Sequence, residues 1–252
     1  MKKNLTLFFL LVQMAASVAW AGEVHFPRNG ESGNYDDPFR IQTVEDMNLL
    51  AQDVNSGTPY SGIYFSLEAS LYYGNQPKDQ TGSNYTPIGT LENPFEGNFY
   101  GNGYYINGIV INRTGTTEQD MYNGVFGCMF GYVNRLVLEN SKITGHKYTG
   151  GIVGFGGYNI HDCHVGSNVT INVTEGYYDM ARCFGGIAGF FIGQMRGCTS
   201  GAKINPDNRV SANVGGIVGM IEQGELTYCL NVGEVNGFEM VGESQAASPR
   251  AK

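Results

Sequence analysis

The sequence predicts an all-β protein built as a solenoid of stacked coils, with one short helix near its N-terminus. Two observations support this. Glycine makes up 37 of 252 residues, and after residue 63 short strand-forming runs alternate with glycine and asparagine. A motif close to Gly-Gly-Ile-Val-Gly also recurs at 123–127, 150–154, 185–189 and 215–219. The spacing between copies varies while their character is kept. That favours stacked coils with loops outside the stack over a closed barrel.

The first segment, 1–21, has the pattern of a secretory signal peptide, with a basic start, a short apolar run and a small-x-small ending. The apolar run is too short and too interrupted to predict a membrane span, and no later segment is apolar for long enough. We therefore expect an exported chain in the periplasm, at the cell surface or outside the cell. Removing Lys2 and Lys3 changes the formal net charge from −8 to −10. Nucleic acid is excluded as a partner because phosphate binding needs clustered positive charge.

The next segment, 22–62, is predicted to be a polar leader followed by a helix. Thr43 is a capping residue, with Asp46 three positions later as a weak capping box. Met47, Leu50 and Val54 then share one helical face, and Asn-Ser-Gly ends the helix. We expect this helix to cover the edge of the first coil, because an open sheet edge invites pairing with another chain.

The β-helix is predicted over 63–237, in six to eight coils. Counting 13 or 14 residues from each motif start reaches one repeated position, which we interpret as an interior ladder of Leu136, Cys163, Cys198 and Cys229. Within the motif one column of side chains should face the core, since neighbours in a strand face opposite ways. We assign that column to Ile152, Ile187 and Ile217, and a second column to Val153, Ala188 and Val218. Residues 172–182 are expected to be a loop outside the stack.

The last segment, 238–252, is predicted to be a disordered tail, and no capping helix precedes it. The final coil should then present an unpaired backbone edge and part of the layer that contains Ile217 and Cys229. Two explanations stay open, of which we favour the second. Either the chain associates with another through this edge, or it is a shortened form of a longer protein.

The motif followed by a coil that ends near cysteine resembles the GLUG motif of bacterial exported proteins. Segments 37–50, 86–90 and 94–103 are similar to the N-terminal region of that family, and the resemblance covers about 34–237. It implies a right-handed parallel β-helix, often in adhesins or surface-binding modules. The motif also occurs beside zinc peptidase domains, but this chain has no His-Glu-x-x-His. Tyr85 and Tyr100 replace a usual Trp and Asp, and Ala-Ser-Leu-Tyr at 69–72 replaces an acidic strand, so an acidic site of the family is not carried over.

Two sets of residues resemble reactive sites, and neither is interpreted as one. The ladder cysteines are expected to be buried and reduced, with a disulfide left open only at Cys128 or Cys183. His161-Asp162-Cys163-His164 resembles a metal cluster when written out. If Cys163 points inward, however, His164 points outward, and neighbouring coils offer no further ligand. We expect no metal and no cofactor. The acidic residues are scattered and mark no catalytic pair.

The strongest functional signal is tyrosine, with 16 residues in the chain. Adjacent pairs should place one ring inside and one outside, and exposed rings suit sugars or proteins. The alternative is that aromatic residues simply favour strands. The candidate binding residues are Tyr72, Tyr73, Tyr104, Tyr105, Tyr177 and Tyr178.

The expected function is a non-enzymatic adhesion or binding module for a glycan or protein on a host or cell surface. The alternative is a polysaccharide lyase or glycoside hydrolase on the same scaffold. Carboxylates or basic residues that converge in one groove would favour the enzyme.

Overall fold

The protein is a β-solenoid of about five turns, with one α-helix in the part described. The computed structural model describes residues 25–75, 77–115, 117–174, 182–206, 212–236 and 240–242. The proposed signal peptide and most of the proposed tail lie outside these ranges. Every strand pair in the described ranges is parallel, which confirms the predicted parallel β-helix. The six to eight coils expected are too many, because one coil uses 27 to 35 residues by the motif spacing.

Four parallel sheets run along the solenoid, and each coil contributes strands to them in turn. The first sheet contains β1 (Phe39–Ile41), β2 (Tyr64–Leu67), β4 (Asn98–Tyr100), β8 (Phe126–Met129), β9 (Tyr132–Asn134), β13 (Val153–His161), β17 (Ala188–Arg196), β21 (Val218–Ile221) and β22 (Glu225–Thr227). The second contains β3 (Leu71–Tyr72), β5 (Tyr105–Asn107), β10 (Val137–Glu139), β14 (His164–Val165), β18 (Thr199–Ser200) and β23 (Leu230–Asn231). The third contains β6 (Val110–Asn112), β11 (Lys142–Gly145), β15 (Thr170–Val173) and β19 (Lys203–Pro206). The fourth contains β7 (Tyr122–Asn123), β12 (Tyr148–Gly150), β16 (Cys183–Gly185), β20 (Asn213–Gly215) and β24 (Met240–Gly242). Two single 3₁₀ turns lie at Pro77–Asp79 and Glu118–Asp120.

The predicted helix is α1 (Val44–Asn55), and its capping box is confirmed. The Thr43 hydroxyl accepts a hydrogen bond from the Asp46 amide at 3.1 Å, and the Asp46 carboxylate accepts one from the Thr43 amide at 2.9 Å. Met47, Leu50 and Val54 are fully buried in the core. The segment before the helix is not only a leader, because β1 pairs with β2. The first sheet therefore begins before the predicted boundary at residue 63.

The core consists of side-chain columns that run along the solenoid axis, because parallel strands in register place equivalent residues over one another. Consecutive strands of the first sheet place seven apolar residues in one such column, and all but the last are fully buried or nearly so. These residues are Phe39, Phe65, Phe99, Val133, Ile160, Met195 and Leu226.

Between the first and second sheets the later coils bend at one residue in the left-handed region. In four consecutive coils this residue is Arg135, Asp162, Gly197 or Tyr228, with φ between 50° and 66°. The next residue in each coil belongs to the proposed ladder of Leu136, Cys163, Cys198 and Cys229. The strands that follow pair in register, and all four ladder residues are buried. The left-handed residue therefore turns the ladder side chain inward.

The glycine motif forms the corner between the fourth and first sheets. Ile152, Ile187 and Ile217 are fully buried, as predicted. The second column, Val153, Ala188 and Val218, is buried as well, so the expectation that only one column faces the core is wrong. The chain turns within the motif, and strict two-residue alternation does not hold through a turn.

Two other sequence-based assignments need correction. Aligning the motif copies predicts that Asn123 pairs with Gly150, but Asn123 pairs with Thr149. Phe126 still pairs with Val153 as expected, so the turn in the first motif copy is one residue shorter. In the proposed loop 172–182, Asn172 belongs to β15 and pairs with Asn205.

The C-terminal end of the solenoid also differs from the prediction. β24 lies within the proposed tail and pairs with β20, so the stack continues past residue 237. Ile217 and Cys229 are buried rather than exposed, and β24 extends the stack beyond β20 of their coil. Within the same coil, Val235 forms a bridge with Ile204 of the preceding coil. The apolar side chains that are exposed there, on Leu230 and Val232, belong to outward positions. Association through this end stays a prediction.

Candidate functional site

The two predicted tyrosine pairs that the structure describes are arranged differently. Tyr72 is 58% exposed, whereas Tyr73 packs inward against the Tyr85 ring, so this pair divides between outside and inside. Tyr104 and Tyr105 do not, because β5 begins at Tyr105 and both rings lie outside the core. The Tyr105 ring contacts that of Tyr72 on the second sheet, and their hydroxyls are hydrogen-bonded. The third pair, Tyr177 and Tyr178, lies outside the described residues.

A larger aromatic surface lies on the first sheet. Its rings form a chain of contacts with centroids 5.3–6.1 Å apart, from one coil to the next along the solenoid axis. Tyr35 is 67% exposed, and the other members are half-buried. We call this surface the tyrosine stripe; it consists of Tyr35, Tyr64, Tyr100, Tyr132 and, at its C-terminal end, His161.

The stripe is formed by the residues that flank the buried column of the first sheet. Tyr64 and Tyr132 precede a buried residue, whereas Tyr100 and His161 follow one. Burial raises the pKa of the Tyr100 and Tyr132 hydroxyls, and neighbouring tyrosines or Asp162 add to it. The Tyr100 and Tyr132 rings thus keep neutral hydroxyls at physiological pH.

Polar groups accompany the rings of the stripe. Amide side chains occupy the outward positions beside the rings, namely Asn98, Asn134, Asn159 and Gln194. Beyond His161 the next coil carries Arg196, whose guanidinium lies 5.6 Å from the ring centroid of the exposed Tyr228. The surface therefore combines flat apolar faces with hydrogen-bonding groups.

A second aromatic group fills the corner between the fourth and first sheets. Its rings contact one another at 5.0–6.1 Å, and the Phe155 and Phe190 rings are stacked. Burial raises the pKa of Tyr148 to about 12, so it too is neutral. Phe130, Tyr148 and Phe155 keep part of their surface exposed. We call this group the corner cluster; it consists of Tyr122, Phe130, Tyr148, Phe155 and Phe190.

A polar cleft of about 440 Å³ lies near the C-terminal end of α1. The Asn55 side chain connects α1 to the following loop, because it donates to the carbonyl of Pro87 and accepts from the amide of Gly89. Two carboxylates, Glu92 and Glu118, line the cleft, although the sequence marked no pair. Among the described residues, the cleft is lined by Asn55, Thr90, Glu92, Asn93, Thr117, Glu118 and Gln119.

The segment 161–164, which resembles a metal cluster when written out, does not converge. Cys163 is buried, whereas the His164 side chain lies outside near Glu139. His161 contacts the Tyr132 ring, and its Nδ1 lies 3.4 Å from the Tyr132 hydroxyl. Among the described residues, no group of three or more His, Cys, Asp or Glu is placed to hold a metal ion.

The cysteines lie in the interior. All five are free and buried. The hydrogen bond with the Cys163 thiol raises the pKa of Cys198, and burial adds to it, while burial raises the pKa of Cys183 to about 11. The thiolates of Cys183 and Cys198 are therefore scarce at neutral pH, which argues against a nucleophilic role for these two residues.

We expect Cys198→Val to lower the free energy of unfolding by less than about 1.5 kcal/mol, because the two side chains are close in volume. The contacts of the Cys198 thiol to the carbonyls of Ile160 and Arg196 are long, both at 3.6 Å. Urea unfolding at 25 °C measures the change. A loss above about 3 kcal/mol would show that the thiol contacts hold the ladder together.

In the described part of the chain no helix is both long and apolar enough to cross a membrane. No family model matches the sequence. A protein of Evansella cellulosilytica, provisionally named a Gly-rich membrane protein, is 29% identical over 140 residues, which are 55% of this chain and 15% of that protein. Halomucin of Haloquadratum walsbyi is 25% identical over 126 residues, which are 49% of this chain and 1% of that protein. The chain thus spans a small fraction of either relative. The structure of a provisionally assigned immunoglobulin A1 protease from Bacteroides ovatus is 17% identical, with 84% of this chain and 73% of that chain covered and a TM-score of 0.47.

Proposed function

We propose that the protein is a surface-associated binding module whose tyrosine stripe holds a glycan along the solenoid axis. The observation that supports this most is the unbroken contact of aromatic rings from Tyr35 to His161 across successive coils. Flat neutral rings pack against the apolar faces of sugar rings, and a few polar groups beside them fix the orientation of the ligand. Coils repeated along one axis present equivalent contacts to a repeating polymer.

Binding is tested by electrophoresis of the protein through native gels that contain hydroxyethylcellulose, xylan, glucomannan or laminarin. We expect at least one polysaccharide to retard the protein. Tyr100→Ala should weaken that binding by about 30-fold, the effect of losing a central aromatic contact of about 2 kcal/mol. Tyr132→Ala should act in the same direction.

The matched control is Tyr72→Ala, which removes an exposed tyrosine from the second sheet instead. It should keep the affinity of the unchanged protein. Loss of binding in Tyr72→Ala alone would move the site to the pair of Tyr72 and Tyr105. Unchanged binding in Tyr100→Ala and Tyr132→Ala, with both variants folded by circular dichroism, would contradict the proposal for the stripe.

A carbohydrate-active enzyme is the second candidate, and the polar cleft favours it. Glu92 and Glu118 line one cleft together with amide and hydroxyl groups, the residue types that a glycosidase uses to hold sugars and to transfer protons. The test is release of reducing sugars from the same polysaccharides, with Glu92→Gln and Glu118→Gln as controls. Release that either variant abolishes supports the enzyme, whereas retention without release supports the binding module.

We also propose membership of the GLUG-motif repeat proteins and an exported location. The first is supported by the glycine motif at the corner of successive coils. The second is supported by the signal-like segment 1–21 and by the names of the two sequence relatives, a membrane protein and a mucin. An N-terminal sequence that begins near Gly22 in protein secreted by an expressing bacterium would support export.

A further inference from the structure

One residue in the first sheet breaks the pattern of its column. Five successive coils, from the one that contains β4 onward, each carry one residue just before the outward position of Asn98 and Tyr132, and in four of these coils that residue is glycine; in the coil before them it is Ile63. In the fifth it is Tyr158, which pairs with Gly193 in the next coil. The column consists of Gly97, Gly131, Tyr158, Gly193 and Gly224.

The glycines of this column have a steric reason. A Cβ at Gly131, Gly193 or Gly224 would lie far inside van der Waals contact with a carbonyl oxygen of the preceding coil. Tyr158 carries its Cβ at this position with φ of 85°, a backbone conformation that non-glycine residues rarely adopt. The structure therefore keeps a strained tyrosine where glycine fits.

The same backbone conformation determines where the ring lies. Tyr158 is two residues before the buried Ile160, so regular alternation would point its side chain into the core. It is instead 63% exposed, and no aromatic ring in the described part of the chain packs against it. An exposed tyrosine without an aromatic contact contributes little to stability, so no aromatic packing offsets the strain.

The position of Tyr158 lies between the two aromatic surfaces. On β13 it is three residues after Phe155 of the corner cluster and three before His161 of the tyrosine stripe. Strained residues that the fold does not need are concentrated where a ligand is bound. We propose that Tyr158 is a ligand-stacking residue that joins the corner cluster to the tyrosine stripe, so that a polysaccharide packs one pyranose face against its ring. This inference rests on the proposed glycan-binding function.

Substitutions at this position separate strain from binding. Tyr158→Gly introduces the glycine found in the neighbouring coils, and it should raise the melting temperature by about 2–4 °C while binding to the retarding polysaccharide falls at least tenfold. Tyr158→Ala removes the ring but keeps a Cβ at positive φ, so it should lose binding without the gain in melting temperature. Tyr158→Phe should bind like the unchanged protein.

Each outcome of native-gel retardation and thermal unfolding decides one point. Tyr100→Ala could reduce retardation while Tyr158→Gly still binds like the unchanged protein. In that case the stripe is the binding site, and the proposed ligand-stacking role of Tyr158 is wrong. If Tyr158→Gly fails to melt above Tyr158→Ala, the strain is absent and the inference fails even though the stripe binds. If no polysaccharide retards the unchanged protein, the proposed function itself fails.

Discussion

Gly189→Ala should lower the free energy of unfolding by about 3 kcal/mol or more, because one added methyl group has no room at the corner of the solenoid. A Cβ at Gly189 would lie 2.5 Å from the Thr149 amide nitrogen, 2.6 Å from the Gly154 carbonyl oxygen and 2.7 Å from the Cys183 carbonyl oxygen. All three neighbours are backbone atoms. A rotamer change cannot relieve the overlap, so the two coils must move apart.

Urea unfolding followed by circular dichroism measures this loss, with Gly82→Ala as the matched control. Gly82 is exposed, and a Cβ there would meet nothing within 4 Å. The same substitution should therefore change the free energy of unfolding by no more than about 1 kcal/mol, in either direction. Equal effects of the two substitutions would mean that the coils do not approach each other at the glycine motif.

The motif could be found from the sequence because its constraint is local. A sharp turn between closely packed coils excludes Cβ atoms at the same place in every coil, so the glycines recur together with the apolar residues beside them. The ladder of Leu136, Cys163, Cys198 and Cys229 follows at a nearly constant offset, since only one left-handed residue separates it from the strand before. The helix was predictable for a similar reason, because Thr43 and Asp46 cap it within a single turn.

The tyrosine stripe could not be found in the same way, because its members come from coils of unequal length. Tyr35 and Tyr64 precede the first copy of the glycine motif, so no offset from that motif reaches them. A usable signal was nevertheless present. The column of Val133, Ile160 and Met195 could be read from the repeat, and the residues on either side of it must face outward. Following those outward neighbours through the coils leads to Tyr132 and His161.

Two sequence-based assignments were wrong: the strand pairing of Asn123 and the C-terminal end of the stack. A glycine-rich turn tolerates a missing residue, so aligning glycine to glycine placed Asn123 one position away from its true partner, Thr149. Backbone hydrogen bonds, which the sequence does not display, decide that pairing. β24 was missed because polar and glycine residues surround a short strand of only three residues. Its Val-Gly ending nevertheless matches the ending of β20, with which it pairs.

Ile187→Ala should lower the free energy of unfolding by about 2–5 kcal/mol, because the isoleucine is fully buried in the central coils and truncation leaves a cavity. Its main chain cannot collapse into that cavity. The Ile187 amide donates to Ile217 at 2.8 Å, and its carbonyl accepts from Ile152 at 2.9 Å and Val153 at 3.0 Å, so both neighbouring coils hold it. The side chains of the column lie over one another and lose a packing partner on both sides.

A graded series in urea tests this expectation. Ile187→Val removes one methylene and should cost about 0.5–1.5 kcal/mol. Val232→Ala, at a side chain that is 67% exposed, should change stability by no more than about 0.5 kcal/mol. If the isoleucines form the core column, the loss in free energy of unfolding must be largest for Ile187→Ala, smaller for Ile187→Val and smallest for Val232→Ala. A loss for Ile187→Ala as small as that for Val232→Ala would place the isoleucines at the surface and shift the register of the motif, because a slip by one residue exchanges the two faces of a strand.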